Sequence, residues 1–165
     1  MVNSLSQNRF LLLIMVGLLI QVAPALAQPF TSKGNDVLLD QATGLLWQKG
    51  DSFHEHKRGM NWYEALEYVD KKNVKRFAGF NDWRLPTLKE LNSIWDSKRL
   101  ITNKDGEPIG LSTNFKEGGS YYLWTADERG LDHAWYFGLG AKEKYFNLKD
   151  LDDLEQGVKL VRDSK

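Results

Sequence analysis

Two helix starts are written into this chain in the same way, and they constrain its fold more than any other feature. Asn61-Trp62-Tyr63-Glu64 and Thr87-Leu88-Lys89-Glu90 each place a side-chain acceptor three residues ahead of a carboxylate. In that pattern the first residue caps a helix N-terminus and the Glu folds back onto the cap. After the first start, Trp62, Ala65, Leu66 and Val69 fall on one helical face; after the second, Leu88, Leu91 and Trp95 do so. A glutamate in each first turn also suits the positive end of the helix dipole. The spacing predicts two amphipathic helices, each of which must cover an apolar surface.

The rest of the chain offers a sheet as that surface. Residues 37–40 and 44–48 read as strands of a hairpin around Gln41-Ala42-Thr43-Gly44. Residues 49–59 are polar and read as a loop, and 100–119, rich in Gly, Asn, Asp and Thr, as a long irregular loop. Residues 121–125, 134–139, 144–148 and 158–162 read as strands, with Gly138 and Gly140 marking a turn. Helices early and strands late indicate an α+β fold with a mainly antiparallel sheet.

Residues 1–27 read as a cleavable export signal. Arg9 precedes an apolar run over 10–20, Pro24 ends it, and Ala25-Leu26-Ala27 supplies the small-x-small cleavage site. The run is shorter than the roughly 20 residues a spanning helix needs, so a signal is preferred to an anchor, and no cysteine is present to carry a lipid. The expected product is exported, periplasmic or secreted, with no membrane span after cleavage. It has a flexible lead-in over 28–36 and one domain over 37–165. The leader removes one base, Arg9, and no acid, so 22 basic residues become 21 against 22 acidic ones, a net charge of −1. That balance gives no electrostatic footprint for nucleic acid. A small exported domain often relies on disulfides; this one has no cysteine, and its core must rest on apolar and aromatic burial, including all six tryptophans.

Several constellations invite chemistry. His54 and His56 would face the same way in an extended segment, and with His133 they form the set for a metal-assisted hydrolase; a solvated loop is the preferred reading. Asn103, Asp105 and Glu107 alternate around Gly106, as calcium ligands can, yet an ordinary turn contains the same residues. No cofactor is expected, and calcium is the one candidate. Asp150, Asp152, Asp153 and Glu155 read as a solvated acidic loop. No Gly-x-Ser-x-Gly nucleophile motif is present, so a non-enzyme is preferred. Arg84 could offer its planar donor fork to a ligand, but Trp83-Arg84-Leu85-Pro86-Thr87 is complete as a helix start without one. Tyr122, Trp124, Trp135 and Tyr136 complete the candidate ligand-binding set, because alternation along strands sends some of these rings outward.

Five landmarks stand in order: Asp40-Gln-Ala-Thr-Gly-Leu-Leu-Trp47; Trp62 with Ala65-Leu66; Asp82-Trp-Arg-Leu-Pro-Thr87 with Glu90-Leu91; Leu123-Trp-Thr125 with Ala134-Trp135; and Val158-Lys-Leu-Val-Arg162. Together they resemble the C-terminal domain family of the Legionella collagen-like protein. The resemblance implies a fold related to C-type lectins and the formylglycine-generating enzyme, with paired terminal strands, two helices flanking the sheet and long loops on one side. Within these landmarks structural roles are expected for Trp47 and Trp62, and for Trp83, Pro86, Thr87 and Glu90, where Trp83 packs, Pro86 fixes the chain direction and Thr87 caps the helix with Glu90. Val69 and Leu160 stand where many relatives carry cysteines, which implies a shared buried site. Lacking cysteine, the chain cannot perform the generating enzyme's chemistry, and Glu107-Pro108-Ile109 is not the calcium-lectin sugar motif. The implied function is an exported non-enzymatic binding module for a glycan or another cell-envelope or surface partner; a structural subunit of an envelope assembly is an alternative. With no Gly-x-y stalk and no heptad repeat, a monomer or weak oligomer is expected.

Overall fold

A computed structural model describes residues 29–152 and 154–165; the export signal predicted at 1–27 lies outside them. Among the described residues, nine strands and three α-helices follow one another as β1 (Phe30–Ser32), β2 (Val37–Asp40), β3 (Leu45–Gln48), α1 (Ser52–His56), α2 (Trp62–Val74), α3 (Leu88–Ile94), β4 (Ile101–Thr102), β5 (Pro108–Ile109), β6 (Tyr122–Arg129), β7 (His133–Gly138), β8 (Glu143–Leu148) and β9 (Val161–Asp163). A 3-10 turn at Phe77–Gly79 separates α2 from α3. The fold is α+β, with antiparallel sheets ordered β1-β2-β3-β9, β4-β5 and β6-β7-β8. The last strand pairs with an N-terminal one, Leu46 opposite Arg162 and Trp47 opposite Val161.

Strand alternation divides the core in two. Leu38, Trp47, Leu123, Phe137 and Val161 join Leu91 and Ile94 of α3 in one cluster. Their sequence neighbours Val37, Leu46, Trp124, Tyr136 and Leu160 join Trp62, Ala65, Tyr68 and Val69 of α2 in the other. Successive residues of a strand point to opposite faces, so the strands form a middle layer with α2 serving one cluster and α3 the other. Val69 and Leu160 are both buried in the α2-side cluster.

Both predicted capping boxes form: Asn61 accepts from the Glu64 N–H (2.9 Å) and Thr87 from the Glu90 N–H (3.2 Å), each glutamate answering the cap backbone. On α2, however, Leu66 is exposed and Tyr68 takes the inward position.

Three loop readings need correction. The lead-in at 28–36 contains β1, whose Phe30 packs on Phe115 in the core. The segment 49–59 contains α1, because Asp51 caps it and His54 closes the box. The segment 100–119 holds β4, β5 and four core residues: Ile101, Ile109, Leu111 and Phe115. The last strand is shorter than 158–162 because the chain crosses between sheets first. The Trp124 N–H donates to Gly157 O, the Gly157 N–H to Tyr122 O, and the Gln48 N–H to Leu160 O. A Cβ at Gly157 would collide with Ser120 Oγ, so the crossing needs glycine there.

Candidate binding surface

The segment ahead of α3 is built from its own hydrogen bonds. Asn73 clamps Trp83 through both side-chain groups (2.7 and 2.8 Å), and Trp83 Nε1 donates to Phe77 O (2.9 Å). Pro86 O accepts from the Ala126 N–H (2.8 Å). Arg84 forms a fork on Glu90 at 2.7 and 2.9 Å, and the same carboxylate accepts from the Thr87 N–H (2.7 Å). Burial works to raise the Glu90 carboxyl, but Arg84 and Thr87 outweigh it and hold it below the ordinary range. Arg84 is thus committed to its own helix start, the structural one of its two readings.

Strand register sorts the aromatic candidates. Trp124 is fully buried with Nε1 donating to Met60 O (2.7 Å), and Tyr136 is buried in the same cluster. Both leave the ligand-binding set, because their face of β6 and β7 is the one that joins the α2-side core. Tyr122 is half-buried and boxed in edge-on by Tyr121, Tyr136 and Tyr145 at 4.8, 5.4 and 6.1 Å. Trp135 points the opposite way. It lies opposite Phe146 on β8, and the rings meet edge-to-face at 5.4 Å. The Arg129 guanidinium sits 3.6 Å from the Phe146 centroid, Lys144 Nζ 5.8 Å from that of Trp135, and His133 packs on Phe146 at 5.6 Å. α3 packs on β6 and β7, but its core cluster takes Phe137 and Leu123 and leaves out Trp135 and Phe146. Phe146 is 43% exposed and Trp135 half-buried. The result is a rigid aromatic face fringed with cations. Arg129 carries no signal in the sequence that marks it as a site residue; Trp135 and Phe146 belong to the rings that crowd the C-terminal strands and that alternation divides between the two faces, but only the β7–β8 register sets them side by side.

The three histidines do not converge. His54 belongs to the α1 cap: the Asp51 N–H reaches its Nδ1 (3.1 Å), the Asp51 carboxylate lies 2.9 Å from the same nitrogen, and Nε2 donates to Glu117 O (3.0 Å). His56 packs on Tyr68, and His133 lies on β7 against Phe146. Among the described residues no three His, Cys, Asp or Glu side chains are grouped to hold a metal, so the hydrolase reading loses its ligand set. Asn103 Oδ1 accepts from the N–H groups of Asp105 (2.9 Å) and Glu107 (2.8 Å), and Lys104 pairs with Asp105. The oxygens considered for calcium are therefore the fabric of a turn. Of the acidic stretch after β8, Asp153 lies outside the described residues.

A buried ionic network has no counterpart among the sequence expectations. Lys159 is 1% exposed. Its Nζ donates to the carbonyls of Gln48 (3.2 Å), Lys49 (3.2 Å) and Gly50, and lies 4.9 Å from the Phe115 ring centroid. Burial pushes this amine down to about 8, against the pull of Asp51. Burial works to raise the Asp51 carboxyl, but His54, Lys159 and the Ser120 N–H outweigh it and hold it below the ordinary range. Nearby, Gln48 donates to Tyr68 Oη (2.9 Å), whose hydroxyl donates to Glu55 (2.9 Å); burial raises the Tyr68 phenol well above its usual value. The one signal for this network in the sequence is a lone lysine in the apolar run 158–161. Among the described residues, no helix is long and apolar enough to cross a membrane. The family model of the Lcl C-terminal domain matches residues 36–162. No curated protein matches the chain.

Proposed function

From the premise that this chain belongs to the Lcl C-terminal domain family, we propose that it is an exported, non-enzymatic binding module for a glycan or another cell-envelope or surface partner. The contact surface is the outer face of β7 and β8. One observation carries the reading: Trp135 and Phe146 lie side by side, outward, on a paired sheet with Arg129 over Phe146. Aromatic faces pack against the C–H surfaces of sugar rings, and an arginine fork at the rim reaches oxygens. Rings already fixed in a sheet lose little side-chain freedom on binding. The pairing of β9 with β3, and the helices serving opposite clusters, support the lectin-like part of the proposal.

The experiment is a glycan array and a pull-down with envelope polysaccharide, using the chain from Gln28 onward and its Trp135→Ala and Tyr145→Ala variants. Retention that is lost in Trp135→Ala and kept in Tyr145→Ala, whose ring lies on the opposite face, is the expected result. Equal binding by all three would refute the surface. A second reading, a subunit of an envelope protein assembly, is favoured by Leu131, 89% exposed at the β6–β7 tip. Silence on every glycan together with a co-purifying protein partner would select it.

A further inference from the structure

Beside α1 opens a cavity of about 400 Å3 that shares no residue with the Trp135–Phe146 face. Its lining is charged with both signs: Lys49 and Lys116 against Asp36 and Glu55, with Asn114 and Phe77 also on the wall, and with Asp51 and His54 bound to each other in the α1 cap. One wall is tied together by backbone, the Lys49 N–H donating to Asp36 O (2.8 Å) and the Lys116 N–H to Lys49 O (3.0 Å). Neither lysine ammonium has a carboxylate partner among the described residues. Glu55 of α1 is held by three donors on one oxygen: Lys72 (2.5 Å), Tyr68 (2.9 Å) and Gln48 (3.4 Å). Its other oxygen takes no protein hydrogen bond among the described residues. Lys159 pins the carbonyls of Gln48, Lys49 and Gly50 from below, so the backbone carrying Lys49 is set before any ligand arrives.

We infer that this cavity is a second binding site, for a small zwitterion of amino-acid or short-peptide size. Its volume lies in the range of small-molecule sites. A purely anionic ligand would face Asp36 and Glu55, and a purely cationic one Lys49 and Lys116. A molecule bearing both a carboxylate and an ammonium satisfies both pairs, and repulsion of single-signed ligands supplies the selectivity. Phe77 offers an apolar contact for a side chain.

Calorimetric titration of the chain from Gln28 onward with Ala-Ala, N-acetyl-Ala-Ala and Ala-Ala amide tests the inference. The free dipeptide should bind, and each blocked form should lose about tenfold or more in affinity, the worth of one charged hydrogen bond. Lys116→Ala should weaken the free dipeptide by a similar factor. Glu55→Gln should do likewise; because Glu55 also anchors Tyr68 and Lys72, Asp36→Asn provides the same reading if that variant fails to fold. Trp135→Ala should leave dipeptide binding unchanged, which keeps this site separate from the glycan reading. Absence of binding at about 10 mM dipeptide, or blocked forms binding as well as the free one, would overturn it.

Discussion

Lys159 shows what a single side chain contributes to this fold. It stands in a run otherwise apolar from Val158 to Val161, and the lone charge is spent on three carbonyls and the neighbouring Asp51. Removing the amine leaves three buried carbonyls without their donor, while Asp51 keeps His54 and the Ser120 N–H. Lys159→Met should therefore lower stability by about 1–3 kcal/mol, the cost of leaving buried polar groups unsatisfied, measured by urea unfolding. The pH dependence has a defined sign. The amine titrates at about 8 in the folded chain against an ordinary lysine value of 10.5, so between those values the unfolded chain binds more protons and stability from this group rises with pH. The Asp51 carboxyl is lowered, so its contribution is present above its ordinary 3.8 and is lost as acid carries it through its folded value. The difference between wild type and Lys159→Met, measured from pH 7 to pH 10, should show the rise. Leu160 is fully buried beside it; Leu160→Ala should cost about 2–5 kcal/mol through cavity formation.

Among the elements, those with a local signal were legible and those needing a distant partner were not. α2 and α3 each begin with an oxygen cap and a glutamate, and the 37–48 hairpin has its own turn, so each is specified within a dozen residues. α1 uses the same device with His54 where glutamate is usual, and it is too short to show a period. β1 is a strand only because β2 lies beside it. Ile101, Ile109, Leu111 and Phe115 reach the core without periodicity, so composition alone marked their segment as loop. Thr87→Ala should remove one capping bond of α3 and cost about 1 kcal/mol, seen as a lower unfolding midpoint. Glu90→Ala should cost more, since it also strips Arg84 of its partner.

At the scale of the molecule, a middle layer of strands carries two cores, and the aromatic face is what remains where α3 stops. The sequence pointed to outward rings among the C-terminal strands but could not say which, because one step of register exchanges Trp135 with Tyr136. That register is set by six paired positions between β7 and β8, a tertiary fact. We expect light scattering at micromolar concentration to give a monomer or weak oligomer; a stable trimer would contradict this. The most direct test of the outward face follows the tryptophan indole N–H signals by NMR during titration with oligosaccharides prepared from envelope polysaccharide. Movement of Trp135 with Trp47, Trp62, Trp83 and Trp124 unmoved is the predicted result; a stationary Trp135 while those buried indoles shift would contradict it.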